Sequence, residues 1–353
     1  MSKIQFIHKY EDIISVENLL EAWKEFLSGK KKRKDVLEFQ RHLMFNTSLL
    51  HKELEAKIYK HSDYEAFNIS DPKPRIIHKA QVRDRLLHHA IYRILYPFFD
   101  RKFISDSFSC RKNKGTHRAL DRFTEFARRE SKNYTQTVWV LKCDVRKFFA
   151  SIDQTILFEI LQKHIADREL LGLLKNIIAS FNSGACGRGL PLGNLTSQLL
   201  VNIYMNEFDQ YVKHKFKAKY YIRYADDFVI LSQDRVRLEN ILLDIRLFLH
   251  ERLKLDLHPD KVFIKTVASG VDFLGWVHFP YHRVIRTSTR RRMFRKLEED
   301  QRREVVASYL GMLSHGNSRK LAGFIFPLSR LQVPRLELLP LLHGEPALLL
   351  HRI

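Results

Sequence analysis

Three aspartates in this chain stand where apolar runs end. Asp226 and Asp227 interrupt the run KYYIRYADDFVILS at 219–232, in which β-branched and aromatic residues flank a short polar turn. That pattern predicts a β-hairpin with the two acids at its tip. Neighbouring carboxylates repel each other, and hard divalent cations, which prefer oxygen ligands, relieve that repulsion. A solvated Asp-Asp turn is the simpler alternative for the dipeptide alone.

Asp144 occupies a similar setting upstream. The run VWVLKC at 138–143 is nearly all apolar and predicts a buried strand that ends at Asp144. Three carboxylates at the ends of central strands are what a two-metal nucleotidyl-transfer site requires. In such a site, ions ~3.5–4 Å apart stabilise the attacking and the leaving oxygen of an in-line displacement.

The same acids lie in motifs that resemble a known family. YADD at 224–227, preceded by LKCDVRKFF around Asp144, looks like the palm of a reverse transcriptase. Further blocks resemble those of bacterial reverse transcriptases, in the family's order; they lie at 73–91, 107–120, 189–209, 253–262 and 271–276. YADD alone is a weak signal, whereas the ordered set covers the chain from 73 to 276.

The resemblance implies a right-hand polymerase of the α/β (α+β) class, with fingers and palm around a central antiparallel sheet and a helical thumb. It implies an RNA-directed DNA polymerase in which Asp144, Asp226 and Asp227 are catalytic and hold two Mg²⁺ ions, with Mn²⁺ as a substitute. Val145 joins the implied metal ligands. The alternative from another class is a catalytically idle RNA-binding protein. Loss of one acid would favour that alternative, and all three are present.

Five further positions match the family's contacts with the incoming nucleotide: Lys73, Arg75, Phe149, Gln198 and Lys261. Lys73 and Arg75 would grip the triphosphate, since phosphoryl transfer depends on positioning and charge neutralisation; two exposed bases in a turn are the simpler alternative. Phe149 would pack under the sugar and reject a 2′-hydroxyl, unless it is only a core aromatic. Lys261 would protonate the leaving pyrophosphate, unless it is only a surface lysine.

The 189–198 block distinguishes branches of this family. Group II intron and retron enzymes carry a Gln-Gly pair there and end in Ser-Pro, whereas this chain has Leu192-Gly193 and ends in Ser197-Gln198. LGNLTSQ resembles the reverse transcriptases of diversity-generating retroelements, which implies error-prone cDNA synthesis from a template-repeat RNA. Leu192 is then a fidelity residue, or merely a packing residue of the loop, and Gly193 would contact nucleic acid. A retron-like or phage-defence reverse transcriptase is the alternative.

The charge balance favours a polyanionic partner. The sequence has 61 Lys and Arg against 40 Asp and Glu, a net charge of +21, which is typical of nucleic-acid binding; an anionic membrane surface is the alternative. Arg118 follows a predicted loop-to-helix junction that could hold phosphate. Four arginines follow a helix cap predicted at 287–289: Arg290, Arg291, Arg292 and Arg295. Positive charge there opposes the helix dipole, so we expect these arginines to face the primer–template duplex.

Periodicity and end signals predict the elements that position these residues. The predicted elements are a helix at 16–28 capped by Ser15, helices at 35–59, 84–96 (ended by Pro97) and 236–253, and a strand at 271–279.

The length of 353 residues suggests two domains. The predicted divisions are an N-terminal helical extension (1–70), fingers and palm (71–282), a helical thumb (283–325) and a tail without an assigned role (326–353). No apolar run approaches the ~20 residues of a spanning helix, and the N-terminus lacks a signal-peptide core. A cytoplasmic protein without membrane contact is therefore expected. Its expected partners are template RNA, the cDNA or primer strand, dNTPs and a small basic helical accessory protein.

Overall fold

The computed structural model describes residues 5–70 and 74–329. Lys73 and the part of the predicted tail beyond Ser329 lie outside the described residues. The helices are α1 (Tyr10–Ile14), α2 (Val16–Phe26), α3 (Lys34–Arg41), α4 (Leu43–Glu55), α5 (Val82–Asp100), α6 (Thr116–Glu130), α7 (Phe148–Ser151), α8 (Gln154–Gln162), α9 (Arg168–Ala179), α10 (Leu195–His214), α11 (Arg235–Leu253), α12 (Thr287–Glu299), α13 (Arg303–Leu313) and α14 (Arg319–Ser329). The strands are β1 (Glu65–Ile69), β2 (Arg75–Lys79), β3 (Trp139–Asp144), β4 (Tyr221–Tyr224), β5 (Asp227–Ser232), β6 (Phe263–Thr266), β7 (Val271–Phe273), β8 (Trp276–Phe279) and β9 (His282–Ile285).

The chain divides into two compact units, each assembled from three segments. The first unit comprises Met1–Cys110, Val145–Lys217 and Asp244–Pro259, and the second comprises Arg111–Asp144, Ala218–Leu243 and Asp260–Ile353. None of the helices among the described residues is long and apolar enough to cross a membrane.

The first unit is mostly helical and is organised around α5. This helix contacts α1, α2, α3 and α10, and its buried side chains include Leu87, Ile91 and Phe98. The antiparallel pair β1–β2 belongs to the same unit. Ser15 caps α2 as predicted, because its hydroxyl accepts a hydrogen bond from the Asn18 amide at 3.2 Å.

The second unit contains the sheet that carries the acids. Its four strands are antiparallel in the order β4-β5-β3-β6, so β3 pairs with β5 on one side and with β6 on the other. Helix α6 packs against β4 and β5. A three-stranded antiparallel sheet, β7-β8-β9, precedes the helices α12, α13 and α14. The predicted central antiparallel sheet is therefore present.

Two helix predictions were wrong in their bounds. The helix predicted at 35–59 is two helices, α3 and α4, which meet at His42 with φ −120° and ψ 33°. The Asn46 side chain donates a hydrogen bond of 3.0 Å to the Phe39 carbonyl, which satisfies an acceptor at the break.

Pro97 does not end α5, which continues to Asp100. The buried Phe98 and Phe99 follow it, so their packing outweighs the cost of a proline inside the helix.

The strand predicted at 271–279 is a hairpin. β7 and β8 are joined by Leu274 and Gly275, which have φ of +50° and +84°. Positive φ at both central residues is the requirement of a type I′ turn. The predicted cap at 287–289 also differs: α12 already includes these residues, its N-cap is Arg286, and Thr289 is buried. By contrast, the strand ending at Asp144, the 219–232 hairpin and the 236–253 helix are confirmed.

The turn between α13 and α14 lies against β8. A Cβ atom added at Gly316 would lie 2.6 Å from Cη2 of Trp276, which is inside contact distance. We therefore expect Gly316→Ala to lower the free energy of unfolding by about 1–3 kcal/mol, as overpacking does. The measurement is urea denaturation followed by circular dichroism.

Gly311 provides the matched control, because an added Cβ there meets no atom within 4 Å. Gly311 lies inside α13, so Gly311→Ala should be neutral or stabilise by about 0.5–1 kcal/mol. Equal destabilisation by both substitutions would contradict the packing argument.

Candidate active site

The β4–β5 hairpin and β3 bring the three predicted catalytic acids to one edge of the sheet. Asp144 is the last residue of β3 and pairs directly with Asp227, the first residue of β5. Tyr224 pairs with Asp227 across the hairpin, so Asp226 lies in the two-residue turn. Antiparallel pairing places the end of one strand beside the start of the next. The acids are therefore juxtaposed by backbone pairing itself.

The hairpin turn is held by contacts of the two residues that precede it. Ala225 has φ +54°, a conformation uncommon for a residue with a side chain. The fully buried Arg223 donates a hydrogen bond of 3.1 Å from Nη1 to the Ala225 carbonyl. Thr116 of α6 donates a 3.1 Å hydrogen bond to the Tyr224 hydroxyl. Because successive strand residues point to opposite faces, Arg223 and Tyr224 secure the turn from both sides of the sheet.

Two lysines neutralise part of the charge at this edge. Lys261 donates a hydrogen bond of 2.8 Å from Nζ to Oδ1 of Asp144. The Lys142 ammonium lies 3.0 Å from Oδ1 of Asp227. The pKa of Asp227 is raised to about 7, chiefly by burial; Lys142 opposes the shift, and the charges of Asp226 and Asp144 add to it.

The donor set fits a hard divalent cation. The charges of Asp226 and Asp144 both raise the pKa of Asp227, and adjacent carboxylates repel one another until a cation intervenes. Among the described residues, no three carboxylate, imidazole or thiol side chains already converge in a metal-binding arrangement. Asp144 and Asp227 are instead engaged by the lysines. Of these two lysines, Lys261 is the more exposed, with 39% of its side chain accessible.

The other predicted nucleotide contacts belong to the first unit. Arg75 begins β2 and is exposed, Phe149 is half-buried on α7, and Gln198 is half-buried on α10. Val145 is buried and forms an isolated bridge with Leu257. The structure thus brings Lys261 together with the three acids, whereas Arg75, Phe149, Gln198 and Val145 are positioned by elements of the first unit.

The Leu192-Gly193 segment lies along β2. The Leu192 carbonyl accepts a 3.0 Å hydrogen bond from the His78 amide, and the Asn194 side chain donates one of 3.1 Å to the His78 carbonyl. Gly193 has φ +110°, and an added Cβ would lie 2.8 Å from Cγ2 of Ile77. A side chain at 193 would therefore be both strained and blocked, while Leu192 is half-buried.

The predicted phosphate contacts lie on α6 and α12 of the second unit. Arg118 is exposed in the first turn of α6, where it donates to the Asn113 carbonyl. On α12, Met293 and Leu297 are buried. Three of the predicted arginines of this helix are exposed and one is half-buried: Arg290, Arg291, Arg295 and, half-buried, Arg292.

Sequence reasoning missed two charged residues of this site, Lys142 and Arg223. Lys142 lies in the run predicted as a buried strand and Arg223 in the predicted hairpin, and the two residues are buried, at 7% and 0% exposed. Lysine and arginine are almost never fully buried without a partner. A charged residue inside an apolar strand, two or three positions before a candidate acid, was therefore the available signal.

Similarity to known proteins identifies the family. Residues 59–278 match the profile of the family described as reverse transcriptase (RNA-dependent DNA polymerase), which is more than half of the chain. The chain belongs to the reverse transcriptase family. Its fold is the right-hand polymerase fold of this family of RNA-directed DNA polymerases, as predicted.

Several relatives of this reverse transcriptase are proteins encoded by introns. Protein YkfC of Escherichia coli (strain K12) is 26% identical over 284 residues, which cover 69% of this chain and 72% of YkfC. Group II intron-encoded protein LtrA of Lactococcus lactis subsp. cremoris is 22% identical over 260 residues, 55% of this chain and 42% of LtrA. The putative COX1/OXI3 intron 2 protein of Saccharomyces cerevisiae is 24% identical, covering 64% of this chain and 33% of that protein. The chain spans less than half of either intron protein.

Solved telomerase structures share the fold. Telomerase from Candida albicans, in complex with the TWJ fragment of telomeric RNA, superposes with a TM-score of 0.50 at 12% identity, covering 66% of this chain and 46% of that chain. Apo telomerase from Candida tropicalis gives a TM-score of 0.53 at 10% identity, and the match covers 76% of this chain and 57% of that chain.

The raised pKa of Asp227 predicts a pH dependence for the metal-free reverse transcriptase. The folded chain retains a proton on Asp227 up to a pKa of about 7, whereas the unfolded chain loses it near the ordinary aspartate pKa of 3.8. Stability falls with pH wherever the folded state binds more protons. In a chelating buffer, the unfolding free energy of the wild type relative to Asp227→Asn should therefore fall by at most ~4 kcal/mol between these two values. Denaturant titrations at several pH values measure it, and parallel curves for the two proteins would contradict it.

Proposed function

We propose that this reverse transcriptase copies RNA into DNA by two-metal nucleotidyl transfer at Asp144, Asp226 and Asp227. The observation that carries the proposal is the direct pairing of Asp144 with Asp227 across β3 and β5, with Asp226 beside them in the hairpin turn. Two Mg²⁺ ions, or Mn²⁺ in their place, would supply Lewis-acid stabilisation of the attacking and leaving oxygens. The carboxylates hold the charge that such ions need, on a turn that Arg223 keeps in place.

Other residues of the chain would bind and orient the reactants. Lys261, which already touches Asp144, can turn its partly exposed ammonium to the triphosphate and protonate the leaving pyrophosphate. Lys73 and Arg75 would hold the same triphosphate, in keeping with their charge. Phe149 would exclude the 2′-hydroxyl of a ribonucleotide and Gln198 would contact the nucleotide, and together they would give deoxynucleotide selection.

Basic residues would hold the nucleic acid. Helix α12 carries three exposed guanidinium groups, and Arg118 is exposed on α6. Guanidinium groups pair with phosphate oxygens in a bidentate manner, and the chain's +21 charge favours such a partner overall. We propose template RNA and the cDNA or primer strand as the bound species.

Substitution of the turn acid tests the polymerase proposal. Asp226→Asn should reduce primer extension on an RNA template with dNTPs and Mg²⁺ by more than about a hundredfold, because a metal ligand contributes several kcal/mol. RNA binding should be nearly unchanged. Asp244→Asn, which makes the same change on an exposed part of α11, is the control and should retain activity. Extension at the wild-type rate in Asp226→Asn would refute the acid assignment, and RNA binding without extension by the wild type would favour the idle RNA-binding alternative.

Within this function, we propose that the chain is the reverse transcriptase of a diversity-generating retroelement, assisted by a small basic helical protein. The proposal depends on the 189–198 block, since none of the relatives reported above is named for such an element. The position of Leu192 supports it, because this half-buried side chain lies on a loop bonded to β2. Leucine supplies packing there but no hydrogen bond, so checking of the nascent base pair would be weaker.

Errors should accordingly concentrate opposite template adenines. Sequencing of cDNA made from a defined RNA measures them. Leu192→Gln, which restores a polar side chain, should lower misincorporation by about three- to tenfold, the value of one hydrogen bond. If errors at adenine are no commoner than at the other three bases, the retron-like or phage-defence alternative replaces this proposal.

A further inference from the structure

Lys142 is a cation built into the acidic edge of the sheet. It lies in β3 between the buried residues Leu141 and Cys143, and its side chain is only 9% exposed. Because strand residues two apart face the same side, Lys142 and Asp144 share one face of β3. On the neighbouring strand Lys142 pairs with Val229, which lies two residues beyond Asp227. Lys142 is thus the diagonal neighbour of Asp227, a position that long side chains reach.

Among the residues that the structure describes, Asp227 is the ion-pair partner of Lys142. Its ammonium lies 3.0 Å from Oδ1 of Asp227 and 6.0 Å from the ring centroid of Phe263 on β6. A buried ammonium requires a paired carboxylate, and removal of one partner of such a pair is strongly destabilising. The contact therefore fixes the Asp227 carboxylate as much as it satisfies the lysine.

Lys142 differs in this respect from Lys261. The Lys261 side chain is 39% exposed and belongs to the turn that precedes β6, so it can exchange Asp144 for water, a metal ion or a phosphate. Lys142 has little access to water, and its departure would leave a buried charge unpaired. Of the two lysines, only Lys261 can leave the acids at low cost when a metal ion arrives.

We infer that Lys142 is a resident cation that holds Asp227 in place, so that Asp144 and Asp226 carry the divalent ions and Asp227 acts as a positioning residue paired with Lys142. The inference rests on the proposed two-metal function and refines its ligand set. It assigns the site one fixed positive charge, on Lys142, beside the three acids. That charge sets how tightly divalent ions bind.

The charge balance predicts how substitution of Lys142 or Asp227 changes the binding of divalent cations. Asp227→Asn leaves the Lys142 ammonium uncompensated beside the ion site, which should weaken cation binding by about tenfold or more. Lys142→Met removes the fixed positive charge and should tighten it by a similar factor. The double variant Lys142→Met/Asp227→Asn restores the net charge and contains no unpaired buried charge. It should bind ions within about threefold of the wild type.

The experiment measures Mn²⁺ binding to the full chain without nucleic acid, by electron paramagnetic resonance of the free ion, in mildly alkaline buffer. Lys265→Met is the matched control: its ammonium also lies over the Phe263 ring, at 4.9 Å, and the residue is exposed. It should leave Mn²⁺ binding unchanged. Thermal unfolding of every variant, followed by circular dichroism, confirms that the protein being titrated is folded.

The double variant decides the question even where a single variant fails to fold. Recovery of Mn²⁺ binding in the folded double variant supports the inference, because a direct ligand could not be replaced by removing a lysine. A folded double variant that binds Mn²⁺ as weakly as Asp227→Asn, or not at all, overturns it. If the wild type binds Mn²⁺ and extends a primer in that case, the proposed function stands without the Lys142 role. If the wild type neither binds Mn²⁺ nor extends a primer, the proposed function fails and the inference with it.

Discussion

Repulsion among three carboxylates at one edge of a sheet is the constraint around which the catalytic part of this chain is arranged. The strand pairing that joins Asp144 to Asp227 gives the acids no freedom to separate. Burial makes their charge more costly, which is why the pKa of Asp227 is raised. Two lysines that differ in their exposure to solvent offset this cost. One is enclosed in β3 and the other lies near the surface.

The backbone around the acids also adopts a conformation that costs free energy. Ala225 holds a positive φ that places Asp226 in the turn, and such residues persist only where their surroundings determine them fully. The buried Arg223 holds this conformation by its hydrogen bond to the Ala225 carbonyl. Helix α6 adds the hydrogen bond from Thr116 to Tyr224. The geometry of the acids therefore depends on residues that would not touch a substrate.

The sequence predicted the strands and the hairpin at the site because a short apolar run, and β-branched and aromatic runs that meet at a polar turn, are local signals. It predicted α2 and α11 for the same reason, from end signals and helical periodicity. It failed where tertiary contacts override local preference: at Pro97, which packing keeps inside α5, and at His42, where two helices meet. The resemblance to reverse transcriptases pointed to the acids and to Lys261. The part played by Lys142 could not follow from either source, since it depends on a diagonal contact between paired strands.

The order of strands in the acidic sheet has a consequence for how the protein acquires its activity. Asp144 ends a strand whose two neighbours, β5 and β6, are contributed by much later parts of the chain. Contacts between distant segments carry a large loop-closure entropy and form slowly. During synthesis β3 must wait, with its apolar edges unpaired, until residues through Thr266 have emerged. The nascent chain thus exposes an unpaired strand until β5 and β6 have been made, and the acids can pair only after Ser232 has emerged.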